Sequence, residues 1–217
     1  MNALELEDIK MQFNQKVLFE NLDLAIEKGT INTIMGESGS GKSTLLNIIG
    51  LLLKPTAGAI NILDYQNVKP NTRQAMLILR NDISYIFQNY ALIENDTVKE
   101  NLLLSKKYRK NFKEKELEES LEKVGISKEY LGHKVCELSG GEQQRIAIAR
   151  TMLKPCEIIL ADEPTGNLDT SNKEKIIHLF KELKKEGKTI VCVTHDEEMA
   201  KSADRIIDLK KERGREK

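Results

Sequence analysis

The sequence predicts an α/β fold in which strands deliver short polar motifs to one edge of a sheet flanked by helices, and three stretches carry that expectation. An apolar run at residues 31–35 leads into Gly36-Glu37-Ser38-Gly39-Ser40-Gly41-Lys42-Ser43, and a helix-compatible run follows at residues 44–53. A second apolar run, residues 157–161, ends in Asp162-Glu163. That is the arrangement expected where a parallel strand brings carboxylates to its C-terminal edge. A third run, residues 189–193, is followed closely by His195.

The first stretch fills every fixed position of the phosphate-loop pattern G-x-x-x-x-G-K-[ST]. Its glycines let the backbone curl so that successive N–H groups point inward, backed by the positive end of the following helix. Lys42 would reach the β- and γ-phosphates, and the Ser43 hydroxyl would ligate Mg²⁺. A glycine-rich turn with a solvated lysine fits the letters too, but not as well the strand before and the helix after.

Composition limits what surrounds this loop. The 217 residues suit one domain with two lobes. Equal numbers of basic and acidic residues, 34 each, leave no global field to recruit nucleic acid. The cysteines Cys136, Cys156 and Cys192 form no C-x-x-C pair and read as buried reduced thiols. The first ten residues lack a signal-peptide core. The most apolar stretch, residues 45–53, is interrupted by Asn47 and Gly50 and falls short of the ~20 residues that span a bilayer. Work at a membrane would need another chain to supply the spanning helices.

Taken in order, Leu4, Leu6 and Ile9 and then residues 17–26 read as strands, with Lys28-Gly29 turning into the strand before the loop. Phe13 has two readings, a core aromatic of a small sheet or a flat platform for a nucleobase. After Pro55 and Gly58 come a strand at 59–63, a helix at 73–79 and a β-rich run at 83–87 that stops at Gln88. Residues 97–124 repeat apolar positions at helical spacing in a charged background, with Thr97 and Glu100 matching a capping box, and residues 106–123 read as a solvated helical face. Leu138-Ser139-Gly140-Gly141-Glu142-Gln143-Gln144 pairs a second capping box, Ser139 with Glu142, with adjacent glycines that capping does not require. Bare N–H groups at a helix start make a second phosphate-binding surface. One nucleotide could use both surfaces only if they came from opposite sides.

In Asp162-Glu163 the Asp can hold Mg²⁺ and the Glu can accept a proton from attacking water. Ser171 and Glu174 match a helix cap ahead of Ile176, Ile177, Leu179, Phe180 and Leu183, and Gly187 ends that helix. His195, at the carboxyl edge of a strand, can hydrogen-bond a γ-phosphate. The basic tail, residues 210–217, reads as a frayed end.

The ordered set resembles the ATP-binding subunit of an ABC transporter over nearly the whole chain. It comprises the loop Gly36 to Ser43, Gln88, the signature Leu138 to Gln144, the strand before Asp162 and Glu163, Asn167-Leu168-Asp169, and His195. Within the family it is similar to the lipoprotein-release and macrolide-export group. Phe87-Gln88-Asn89-Tyr90-Ala91-Leu92-Ile93-Glu94-Asn95-Asp96-Thr97-Val98 resembles ATPases of bacteriocin export.

The resemblance implies a P-loop NTPase fold with a RecA-like mixed sheet, an antiparallel β subdomain and a helical lobe. It places the catalytic core at residues 1–88 and 155–217 and the lobe at 89–154. It implies that Phe13 stacks on adenine and that Gly36, Glu37, Ser38, Gly39, Ser40, Gly41, Lys42, Ser43 and Thr44 hold the phosphates. Gln88 would touch Mg²⁺ or the lytic water and report to the lobe, and Asp162 would support the metal. Glu163 would be the general base and His195 the γ-phosphate contact. Ser139, Gly140, Gly141 and Glu142 would close over ATP held by a second chain, with Asp169 at the seam. ATP and Mg²⁺ would be the ligands. The partners would be an ATP-induced homodimer and a separate transmembrane permease, at the inner face of the cell membrane and without direct insertion or nucleic acid.

Other NTPases fit less well. Asn172-Lys173-Glu174-Lys175 lacks the Asp of a guanine-reading motif, no long coiled coil divides the chain, and the motifs occur once. A regulatory ABC ATPase that pulls on a membrane partner without transport would use the same catalytic residues.

Overall fold

The computed structural model describes residues 1–108, 111–166 and 168–210. Two long strands, β1 (Asn2–Phe13) and β2 (Lys16–Glu27), form an antiparallel hairpin, and β4 (Ala57–Ile62) pairs with the other side of β1. Beside this sheet lies a parallel one of β3 (Ile31–Met35), β5 (Ile83–Ile86), β6 (Ile158–Asp162), β7 (Thr189–Val193) and β8 (Arg205–Asp208), in the order β5-β6-β7-β3-β8. Together they supply the mixed sheet architecture expected of a P-loop NTPase with an antiparallel subdomain.

Alternation along β6 and β7 explains their apolar interiors. Ile158 and Leu160 of β6 and Val191 and Val193 of β7 join the core shared with the antiparallel sheet and α1 (Lys42–Ile49). Ile159, Ala161, Ile190 and Cys192 face the opposite core. There they meet α5 (Gly140–Leu153) and α6 (Thr170–Lys185). Both faces are covered, which suits the apolar interiors of β6 and β7, while β3 buries Asn32 and Thr33 and β5 buries Ser84 in mid-strand.

The remaining helices are α2 (Arg73–Asn81), α3 (Val98–Leu103), α4 (Lys115–Lys123) and α7 (Glu197–Lys201). Several expectations need correction. The helix after the loop stops at Ile49, because Gly50 caps it and Leu51 turns left-handed at φ 56°. The helical run at 97–124 is broken into α3, a 3-10 turn at Leu104–Tyr108 and α4. The cap of α6 is Asp169, whose carboxylate accepts from Asn172 N–H at 2.9 Å; Ser171 lies inside the helix. Ile177 is only partly buried beside Ile176, Leu179, Phe180 and Leu183. Cys156 and Cys192 are buried, but Cys136 is exposed, in the middle of the 3-10 turn Val135–Glu137 that precedes α5. Asn167 and the tail beyond Lys210 lie outside the described residues.

Candidate active site

Four strand ends converge because the sheet order sets β5, β6, β7 and β3 side by side in parallel. Gln88 follows β5, Asp162 ends β6, Thr194 and His195 follow β7, and the phosphate loop follows β3. The C-terminal edge of such a sheet is where ligands bind in α/β folds.

The loop itself is shaped for an anion. Gly39 and Gly41 are left-handed, at φ 74° and 91°, and a Cβ on Gly41 would stand 2.8 Å from Leu18 Cδ2. Only glycine fits there. Helix α1 begins at Gly41 with no acidic residue in its first turn, and among the described residues no side chain caps it. Its first N–H groups and the positive end of the helix dipole therefore face the cleft. The Lys42 ammonium donates to the carbonyls of Gly36 at 2.9 Å and Glu37 at 3.0 Å, folded over the loop. On the outer side Glu37 forms an ion pair with Lys210, which holds its carboxyl below the usual range.

A cleft of about 410 Å³ opens above the loop, lined by Ser38, Lys42, Ser43, Thr44, Gln88 and Glu163 on one side and by Phe13, Lys16 and Leu18 on the other. Phe13 is 47% exposed and lines the cleft, so it is not a core aromatic. Asp162 sits behind Ser43, whose hydroxyl donates to Asp162 Oδ1 at 3.1 Å. Burial raises the Asp162 carboxyl above its ordinary range; the Ser43 bond opposes this, Glu163 adds to it, and Lys42 opposes it. These oxygens suit Mg²⁺, which takes few carboxylates and completes an octahedron with phosphate oxygens and water.

Glu163 is unusual in its backbone and its side chain. It is left-handed, at φ 50°, and its N–H is fixed to Val193 O at 2.8 Å. Its Oε2 lies 3.1 Å from Thr194 Oγ1, 3.4 Å from His195 N and 3.0 Å from His195 Nδ1. Oε1 carries no hydrogen bond among the described residues. His195 is not among the residues that line the cleft; its side chain is 75% exposed, with Nδ1 turned onto Glu163.

The signature stretch stands outside this cleft. Ser139 caps α5 through a reciprocal box: its Oγ accepts from Glu142 N at 3.3 Å, while Glu142 Oε2 accepts from Ser139 N at 2.9 Å and from its hydroxyl at 2.7 Å. The Ser139 hydroxyl and N–H lower the Glu142 carboxyl, and Tyr130 adds a further hydrogen bond. At the other end of α5, Arg150 reaches back to the turn after Gln88, donating to Tyr90 O at 3.0 Å and Ala91 O at 2.6 Å. Tyr90 and Ala91 are both left-handed, at φ 63° and 48°. Burial lowers the Arg150 pKa, and no carboxylate pairs with it among the described residues.

Sequence reasoning missed Arg150 and Thr194, and it named Gln144 only as the end of the signature, without its contact: the amide donates to the carbonyls of Glu163 and Pro164. A hydroxyl placed directly before His195 at the end of an apolar strand was the available signal for Thr194.

Fold and cleft together define a P-loop nucleoside triphosphatase with a helical segment between β5 and β6. The profile of the ABC transporter family matches residues 19–166, more than half the chain, and the chain belongs to that family as an ATP-binding cassette and ATPase. It is 45% identical over 201 residues to the uncharacterized ABC transporter ATP-binding protein MJ0796 of Methanocaldococcus jannaschii, covering 88% of this chain and 84% of that protein. It is 39% identical over 217 residues to the macrolide export ATP-binding/permease protein MacB of Aggregatibacter actinomycetemcomitans, covering 97% of this chain but 34% of MacB. The chain thus spans about a third of that relative's length. The dimeric structure of MJ0796 superposes with a TM-score of 0.87 at 39% identity, over 94% of this chain and 93% of that one. A second dimeric structure of MJ0796 holds ADP and Pi in a post-hydrolysis state. No helix among the described residues is long and apolar enough to cross a membrane.

Proposed function

We propose that two copies of this chain, packed head to tail, enclose MgATP and hydrolyse it to drive a separate transmembrane permease at the inner face of the cell membrane, exporting a peptide or bacteriocin-like substrate. One observation carries the dimeric reading. The cleft gathers Phe13, Lys42, Ser43, Gln88 and Glu163, while Ser139 to Glu142 offer a second helix start outside it. A chain with two phosphate-binding surfaces that do not meet is completed by another copy, and the dimeric MJ0796 cassette supports that arrangement. Export through a permease is supported by the relative MacB, whose name carries both terms.

In this reading residues 1–88 and 155–217 form the catalytic core and 89–154 the lobe that meets the permease. Gly36 to Thr44 wrap the phosphates, and Phe13 stacks on the base. Lys42 exchanges its two loop carbonyls for β- and γ-phosphate oxygens. Ser43, Gln88 and Asp162 would hold Mg²⁺, which neutralises phosphate charge and orients the γ-phosphoryl group. Glu163 takes a proton from water as the water oxygen attacks the γ-phosphorus and ADP departs. His195 turns from Glu163 to the γ-phosphate, while Ser139, Gly140, Gly141 and Glu142 of the partner close over it. Asp169 lies at the seam, and Gln88 passes the nucleotide state to the lobe.

Mixed dimers test the shared site. Lys42→Ala and Ser139→Arg chains, each carrying Glu163→Gln to block turnover, should occlude no nucleotide alone, although the Ser139→Arg chain still binds it openly through α1. Their mixture should occlude MgATP at the site that pairs the intact loop with the intact signature. No retention, despite differential tags showing that mixed dimers form, would mean the two surfaces do not meet across a seam.

A further inference from the structure

Glu163 is anchored through Oε2, and among the described residues Oε1 accepts no hydrogen bond. Of the donors on Oε2, the His195 ring is solvent-exposed and free to turn away. Thr194 is different: it is 0% exposed, immediately follows β7, and its N–H lies 3.4 Å from Ile34 O on β3. Its hydroxyl is used twice, donating to Glu163 Oε2 at 3.1 Å and accepting from Asp196 N at 3.0 Å.

Asp196 is itself fixed. Its carboxylate accepts from the N–H groups of Glu198 and Met199 and pairs with Lys173 of α6 at 2.7 Å. Burial works against its ionisation, but the Lys173 ammonium and the two N–H groups together hold its pKa below the ordinary value. A continuous set of bonds therefore runs from the first turns of α6, through Asp196 and Thr194, to the Glu163 carboxylate.

We propose that Thr194 is a positioning residue for hydrolysis: its hydroxyl pins Glu163 Oε2 so that Oε1 is presented to the attacking water. This rests on Glu163 acting as the general base. A glutamate side chain has three rotatable bonds, and water attack requires its acceptor lone pair in one place. The Glu163 backbone is already committed by its left-handed turn, so the orientation of its carboxylate must come from outside. When His195 leaves for the γ-phosphate, Thr194 and the His195 N–H remain on Oε2.

Steady-state MgATP hydrolysis by the full chain tests this. Thr194→Val, which keeps the shape and removes the hydroxyl, should lower kcat by roughly tenfold or more while the KM for ATP stays within about twofold. Thr194→Ser should restore kcat to within about twofold of the parent, a rescue that a packing role would not show. If Thr194→Val does not fold, Thr194→Cys, a weak donor, should fall between the parent and total loss, with an unchanged KM. An unchanged kcat in folded Thr194→Val or Thr194→Cys overturns the proposal, as does a Thr194→Ser chain no faster than Thr194→Val. Glu163→Gln separates the two readings. If Glu163→Gln turns over normally, the base assignment fails; if it is inactive while Thr194→Val is normal, only the Thr194 proposal fails.

Discussion

Two helices in this chain start at glycines, and they manage their first N–H groups in opposite ways. Helix α1 has Gly41 at its cap, no capping side chain among the described residues and no acid in its first turn. Helix α5 has Ser139 at its cap, a full reciprocal box with Glu142, and that carboxylate in its first turn. The first start is open and electropositive, whereas the second is already satisfied by its own side chains. On the proposed function, an isolated chain holds ATP through α1, and α5 contributes only when the phosphate of ATP on a partner chain competes with bonds already made.

The sharpest way to break this contrast is to give α1 the cap that α5 has. Gly41→Ser supplies a good capping residue, yet the left-handed cap position and the Leu18 contact forbid it. The expected cost is roughly 2–5 kcal/mol, combining ~1–2 of left-handed strain with ~1–3 of overpacking, together with loss of ATP binding. Thermal unfolding and fluorescent-nucleotide titration measure both, and a stabilised, ATP-binding Gly41→Ser chain would refute the account of the loop.

Phe13→Ala comes next, because Phe13 lines the cleft at the start of α1 and no residue of α5 does. It should weaken ATP and GTP equally, by about 1–3 kcal/mol, as loss of a ring that stacks without reading the base. An unchanged ATP affinity by calorimetry assigns the ring to the sheet instead.

The smallest effect is expected at α5. Ser139→Ala should cost ~1 kcal/mol of stability through the lost cap and leave ATP affinity of the isolated chain unchanged. Weaker binding by the monomer would show that α5 already takes part before a second chain arrives.

The contrast also marks what could be read from residues alone. The phosphate loop, the β6 and β7 strands and the box at Ser139 were legible because each is a local pattern of spacing and residue type. The cap of α6 was not, since Asp169 and Ser171 are both good capping types and the choice between them is made by packing. The break in residues 97–124 was hidden because apolar spacing persists through the 3-10 turn at Leu104–Tyr108. Thr194 and Arg150 escaped for another reason. Their partners, Glu163 and the carbonyls of Tyr90 and Ala91, are 31 and about 60 residues away in sequence, brought near only by the fold.

The turn after Gln88 behaves as a clutch. Its two left-handed residues each carry ~1–2 kcal/mol of conformational strain, and one planar guanidinium grips both of their carbonyls. On the proposed function, movement of the Gln88 turn would be handed to α5 through this one fork while Arg150 stays seated. A rigid fork cannot stretch two bonds far, so pulling beyond their reach would release both together.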